Sequence, residues 1–227
     1  GGVVIATWGT GAAFMINAAS YIPMIFVLAT VKIHVERAPD AKSKRVLAAL
    51  VDGANYALHH PMIRSVLALS CFVALVGTGM VELMPVFAEA VYDRGVTGLG
   101  MLASASGVGA VASTFMLSRV RSDPAAFQRV TVIGAFAAGC GMLGLGFAPW
   151  YELAVVLVAI TGFGLTAVGV GSQTALQLTV DNKLRGRVMS FWSATSFGGI
   201  ALGGTMLGAI SEAGHIQYTA RGSGILI

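Results

Sequence analysis

Six stretches of the chain, residues 11–31, 65–81, 95–118, 130–151, 153–180 and 188–211, contain no Asp, Glu, Lys or Arg. A helix rises 1.5 Å per residue, so about 20 apolar residues cross the hydrocarbon core of a bilayer. All but the second stretch exceed that length, and the second does so if it runs through Glu82 to Ala88. In hydrocarbon every backbone N–H and C=O must be satisfied within its segment, and none of these runs shows the two-residue alternation of a barrel strand. The pattern predicts an all-α membrane protein with six complete transmembrane helices. Val3 to Trp8 read as the last turns of a helix before them, and Gly222 to Ile227 as the start of another, so partial helices are expected at both ends. With neither an initiator Met nor a charged leader, residue 1 reads as a cut in a longer chain.

Composition agrees with this reading. Charged residues make up 11% of the chain, against about 25% in a soluble domain. A soluble fold of this length could not keep so much apolar surface dry. The net charge of +4 is therefore read as a topology signal. Lys32, Arg37, Lys42, Lys44, Arg45 and Arg64 fall in the first connection, Arg119, Arg121 and Arg129 in the third, and Lys183, Arg185 and Arg187 in the fifth. Only Arg94 and Arg221 remain for the other side. Basic residues stay on the cytoplasmic face, which predicts that connections one, three and five are cytoplasmic. The basic residues do not cluster with aromatics on a soluble face, which excludes a nucleic-acid partner.

The first connection carries Val46, Leu47, Leu50, Val51, Ala54 and Leu58 at helical spacing, which predicts an interfacial helix with Lys44 and Arg45 near anionic headgroups. Pro61 separates it from the next span. Within the spans, Gly199 and Gly203, and Gly204 and Gly208, form two consecutive pairs at GxxxG spacing, and Gly162, Gly164, Gly169 and Gly171 punctuate the fifth span. Such small residues let helix backbones approach closely. Pro23 and Pro85 free backbone carbonyls and permit kinks.

Chemistry must come from few groups. No nucleophile with a base, carboxylate pair, metal-spaced cluster or phosphate-binding loop is present, so neither an enzyme nor a cofactor or metal site is expected. Cys71 and Cys140 lie in apolar runs and read as packing residues. Glu82 is the one acidic residue placed to lie within a span. A carboxyl group in an apolar cavity has its pKa raised, which would let Glu82 carry a proton. The bland reading puts Glu82 at the outer headgroups with Glu89 and Asp93. Asn17, Gln173 and Gln177 are uncharged groups suited either to a substrate path or to bonds across helices. Asp181 can pair with Arg185 or Arg187, or cap the helix that follows.

Several segments taken in order resemble the major facilitator superfamily, in particular its branch of bacterial drug and siderophore exporters. They are Ala13 to Ser20, His60-Pro61 with Ile63-Arg64, Met84 to Ala88, Thr97 to Gly100 with Ala105 to Ala110, and Asp181 with Leu184 to Ser190. The resemblance implies that the six spans are helices six to eleven of twelve. Residues 1–31 are then the end of helix five and helix six, 32–62 the cytoplasmic linker with its interfacial helix, and 63–227 the C-terminal half, truncated in its last helix. It implies proton-driven efflux of a hydrophobic or amphipathic small molecule by alternating access, in the inner membrane of a bacterium. The implied partners are that substrate, the bilayer and the missing N-terminal half. Arg119, Arg121, Asp181, Arg185, Gly186 and Arg187 would form cytoplasmic gating loops. The alternative is a truncated half that is inactive or serves assembly only.

Overall fold

The computed structural model describes residues 2–30, 54–78 and 83–212. Helix α1 spans Gly2–Thr30. Its dihedrals leave the helical region at one residue, Gly9, with φ 78° and ψ 171°. That left-handed conformation suits glycine because a Cβ would clash there. The helix continues through Pro23, so the break falls at Gly9 and not at the proline.

After a helical segment at residues 54–59, α2 spans Pro61–Val73. Pro61 occupies the first turn, where its missing N–H costs nothing. The next residues, Ala74–Thr78, form a wider π-helical segment, π1. Residues 79–82 lie outside the described region. Beyond them a single turn at Met84–Val86 leads into a second π-helical segment, π2, at Phe87–Val91. Helices α3 (Gly95–Leu117), α4 (Pro124–Leu145), α5 (Tyr151–Thr179) and α6 (Asn182–Glu212) follow. The Asp123 carboxylate caps α4 by accepting the Ala126 N–H at 3.2 Å, directly before Pro124.

Among the described residues, Trp8–Thr30, α3, α4 and α5 are long and apolar enough to cross a membrane. These helices make the chain a multi-pass membrane protein. The second expected span is shorter as an α-helix because α2 passes into π1, and Pro61–Gly77 is the apolar helix that remains. Helix α6 is long, but Ser, Thr and Gly dilute its apolar residues.

Helix α5 is the centre of the bundle and packs along α3 and α4, with α2 and α6 also against it. Small residues set the closeness of these contacts. A Cβ built on Gly109 of α3 would meet the Ala159 carbonyl, and one on Gly162 of α5 would meet Ser106. On the α4 side, a Cβ on Gly134, Gly141 or Gly164 would also come within 3.0 Å of backbone atoms of the facing helix. One core cluster joins Met84, Phe87 and Ala88 to Leu102, Met142 and Tyr151, and another joins Ala57, Ile63 and Val66 to Leu176, Val180 and Val188. By contrast α1 exposes Phe14, Met15, Ile22 and Phe26, and its packing partner here is α3.

Candidate functional site

Two π-helical segments, π1 after α2 and π2 before α3, depart from regular α-helix among the described residues. In π2 the Tyr92 N–H reaches the Phe87 carbonyl at 3.1 Å, five residues back. Segments of this kind widen a helix by one residue per turn and concentrate at functional positions. Helix α6 lies directly on π1. A Cβ on Gly199 would come within 3.0 Å of the Ala74 side chain and 3.2 Å of the Leu75 N, while one on Gly203 would strike the Leu75 carbonyl. Gly204 is half-buried beside them, and Gly208 follows further along α6.

At one end of the bundle a polar cluster ties π2 to the α4–α5 connection. The Tyr92 hydroxyl donates to the Ala148 carbonyl at 3.1 Å, and the Tyr151 hydroxyl donates to the Gly98 carbonyl at 2.7 Å. The two rings meet edge to face at 5.7 Å, and the Arg94 guanidinium lies 5.2 Å from the Tyr151 ring centre. Arg94 also approaches Glu152 at 3.8 Å, but both side chains are exposed, so water screens the pair. Burial raises the Tyr92 phenol above the ordinary tyrosine value, which keeps it protonated and donating at neutral pH.

The other end gathers the first, third and fifth connections. Gln128 at the start of α4 donates to Ser65 of α2 at 3.3 Å, and Thr179 at the end of α5 meets the Met62 sulfur at 3.6 Å. Val188 of α6 is buried against Ile63 and Val66. The Asp181 carbonyl accepts from Leu184 N and Arg185 N, both at 2.9 Å, and so starts α6. Asp181, Arg185 and Gly186 are exposed, Arg187 is half-buried, and the Gly186 carbonyl accepts from Ser190 Oγ at 2.9 Å. Arg119 is held 4.0 Å over the Phe115 ring, and Arg121 is exposed.

The remaining predicted residues are spread along the bundle. Asn17 is exposed on α1. Gln173 and Gln177 sit one turn apart on α5, the first half-buried and the second exposed. Glu82 and most of the expected interfacial helix lie outside the described residues.

A family model described as transmembrane secretion effector matches residues 1–227. The chain belongs to that family. Transmembrane secretion effectors of this family are members of the major facilitator superfamily, transporters and not enzymes. Among curated proteins, the multidrug efflux pump Tap of Mycolicibacterium fortuitum is 27% identical over 228 residues, covering 96% of this chain and 54% of the relative. The enterobactin exporter EntS of Escherichia coli O127:H6 is 25% identical over 233 residues, covering 100% of this chain and 54% of the relative. The chain therefore spans about half the length of the curated relatives it matches. No solved structure matches significantly.

Two features of this secretion effector chain escape a reading of its sequence. The first is the cluster of Tyr92, Arg94 and Tyr151, whose one signal was aromatic and basic residues at span ends. The second is a bond across α5 and α6: Trp192 Nε1 donates to Ser172 Oγ at 3.0 Å, and Ser172 donates to the Gly169 carbonyl at 3.1 Å. A Trp inside an apolar run carries an N–H that needs a partner.

Proposed function

We propose that this chain supplies helices six to eleven of a twelve-helix exporter that expels a hydrophobic or amphipathic small molecule in exchange for protons. The observation that carries the reading is the match of a transporter family along all 227 residues. In this division residues 1–31 complete the N-terminal half, 32–62 link the halves, and 63–227 belong to the C-terminal half. The second and sixth stretches also cross the bilayer.

Alternating access moves one half against the other about a central site. Contacts between backbones, such as Gly203 on Leu75, let packed helices shift without repacking large side chains. Glu82, between π1 and π2 in sequence, is the proposed proton carrier: it takes a proton from outside when the cavity opens there and releases it inside. Asn17, Gln173 and Gln177 offer uncharged hydrogen bonds along the substrate path. Arg119, Arg121, Asp181, Arg185, Gly186 and Arg187 form the gating loops at the cytoplasmic face of a bacterial inner membrane. The names of the relatives, a multidrug pump and an enterobactin exporter, support a drug or siderophore as substrate.

The test uses the full-length transporter in cells loaded with a fluorescent amphipathic dye. Dissipating the proton gradient should stop efflux, and Glu82→Gln should reduce it to the level of cells without the protein. Efflux that continues unchanged in Glu82→Gln removes Glu82 from the mechanism, and efflux that survives loss of the gradient removes proton coupling.

A further inference from the structure

A cavity of about 360 Å³ opens between residues 54–58, α2 and α6. Its floor is a stripe on α2, Arg64, Leu67, Ala68 and Cys71, at the i, i+3, i+4, i+7 spacing of one helix face. Ile63 and Val66 leave that face for the core. Leu58 and Phe191 wall the two sides.

The polarity of this cavity is concentrated at one point. Thr195 also lines it, but its hydroxyl already bonds the Phe191 and Trp192 carbonyls of its own helix, at 2.9 and 3.1 Å. That leaves Arg64 as the charged group, and among the described residues no carboxylate pairs with it. Arg64 lies in the first turn of α2, at the end where the basic connections gather, and Cys71 lies about 10 Å deeper along the helix. A guanidinium at headgroup depth above an apolar trough has the shape of one ligand class: an anionic head attached to a hydrocarbon tail. A phosphodiester matches the guanidinium fork with charge-assisted hydrogen bonds, and the trough below offers nothing to a polar ligand.

We propose that this cavity binds an anionic glycerophospholipid of the cytoplasmic leaflet, its phosphate on Arg64 and its upper acyl chain along Leu67, Ala68 and Cys71. The bound lipid would fill the angle between the linker segment, α2 and α6. The proposal rests on the assignment of this end to the cytoplasmic headgroups. Its test is made in micelles, so it holds or fails separately from orientation and transport.

Cys71 reports on occupancy. In delipidated full-length transporter carrying Cys140→Ser, alkylation of Cys71 by N-ethylmaleimide is followed by mass spectrometry of the peptide that bears it. Phosphatidylglycerol should slow the reaction about fivefold more than phosphatidylcholine does, the effect of one cation on an anionic lipid. Arg64→Lys should keep most of that difference and Arg64→Ala should abolish it. Equal protection by the two lipids overturns the proposal. So does selectivity that survives Arg64→Ala, or a Cys71 that is unreactive before lipid is added, as it would be beneath another protein segment.

Discussion

Tyr151 combines three contacts: its hydroxyl bonds the Gly98 carbonyl, its edge meets Tyr92, and its face receives Arg94. Its neighbour Glu152 makes one long contact in the open. The two should therefore respond differently to substitution. Tyr151→Phe removes the buried hydrogen bond to the Gly98 carbonyl and should cost about 1 kcal/mol, read as a lower melting midpoint of the purified protein in detergent. Glu152→Ala should leave the midpoint in place. A midpoint that moves equally in both would mean that exposed charge, and not the buried hydroxyl, holds this end together. At this scale the sequence was partly legible. A lone Glu82 in an apolar run stands out as a candidate because charge there is costly, but it lies outside the described residues. Tyr92 and Tyr151 do not stand out, since their partnership depends on bringing together positions far apart along the chain.

The π-helical segments π1 and π2, and the contact of π1 with α6, operate at the scale of elements. Gly203 faces the Leu75 carbonyl with no room for a side chain, whereas nothing lies within 4 Å of the position a Cβ would take on Gly169. Gly203→Val should push π1 away from α6, lowering stability by about 1–3 kcal/mol and efflux with it. Gly169→Ala should be neutral in both. Loss of efflux in Gly169→Ala with Gly203→Val unaffected would reverse the assignment of the tight contact. The glycine spacing was plain in the sequence, but which helix each glycine meets was not. The π-helical segments were also hidden, because hydropathy is the same whether a carbonyl is answered four or five residues on. Pro23 and Pro85 drew attention as kinks, yet the helix breaks at Gly9 because glycine alone tolerates φ 78° without strain.

For the whole molecule, absence of charge was the most informative signal: it located α3 and α5 to within two residues of both ends, but it started α4 and α6 six residues late. Gln128 on Ser65 and Thr179 on Met62 bring the basic connections to one end, and Tyr92 on Ala148 brings the remaining two to the other. Cysteines placed at 121 and 185 in intact cells should therefore be shielded from an impermeant maleimide, and one placed at 94 should react. Opposite labelling of 121 and 185 would break the topology. The count of spans was harder to read, because α2 gives way to π1 and α6 is diluted by hydroxyls and glycines. The spine formed by α5 has one further consequence. Its neighbours touch it through main chain at Gly109, Gly134, Gly141, Gly162 and Gly164, so at those points there is no room for a larger side chain. An engineer seeking a hardier version of this protein should leave that spine alone and work on the residues that greet the lipid.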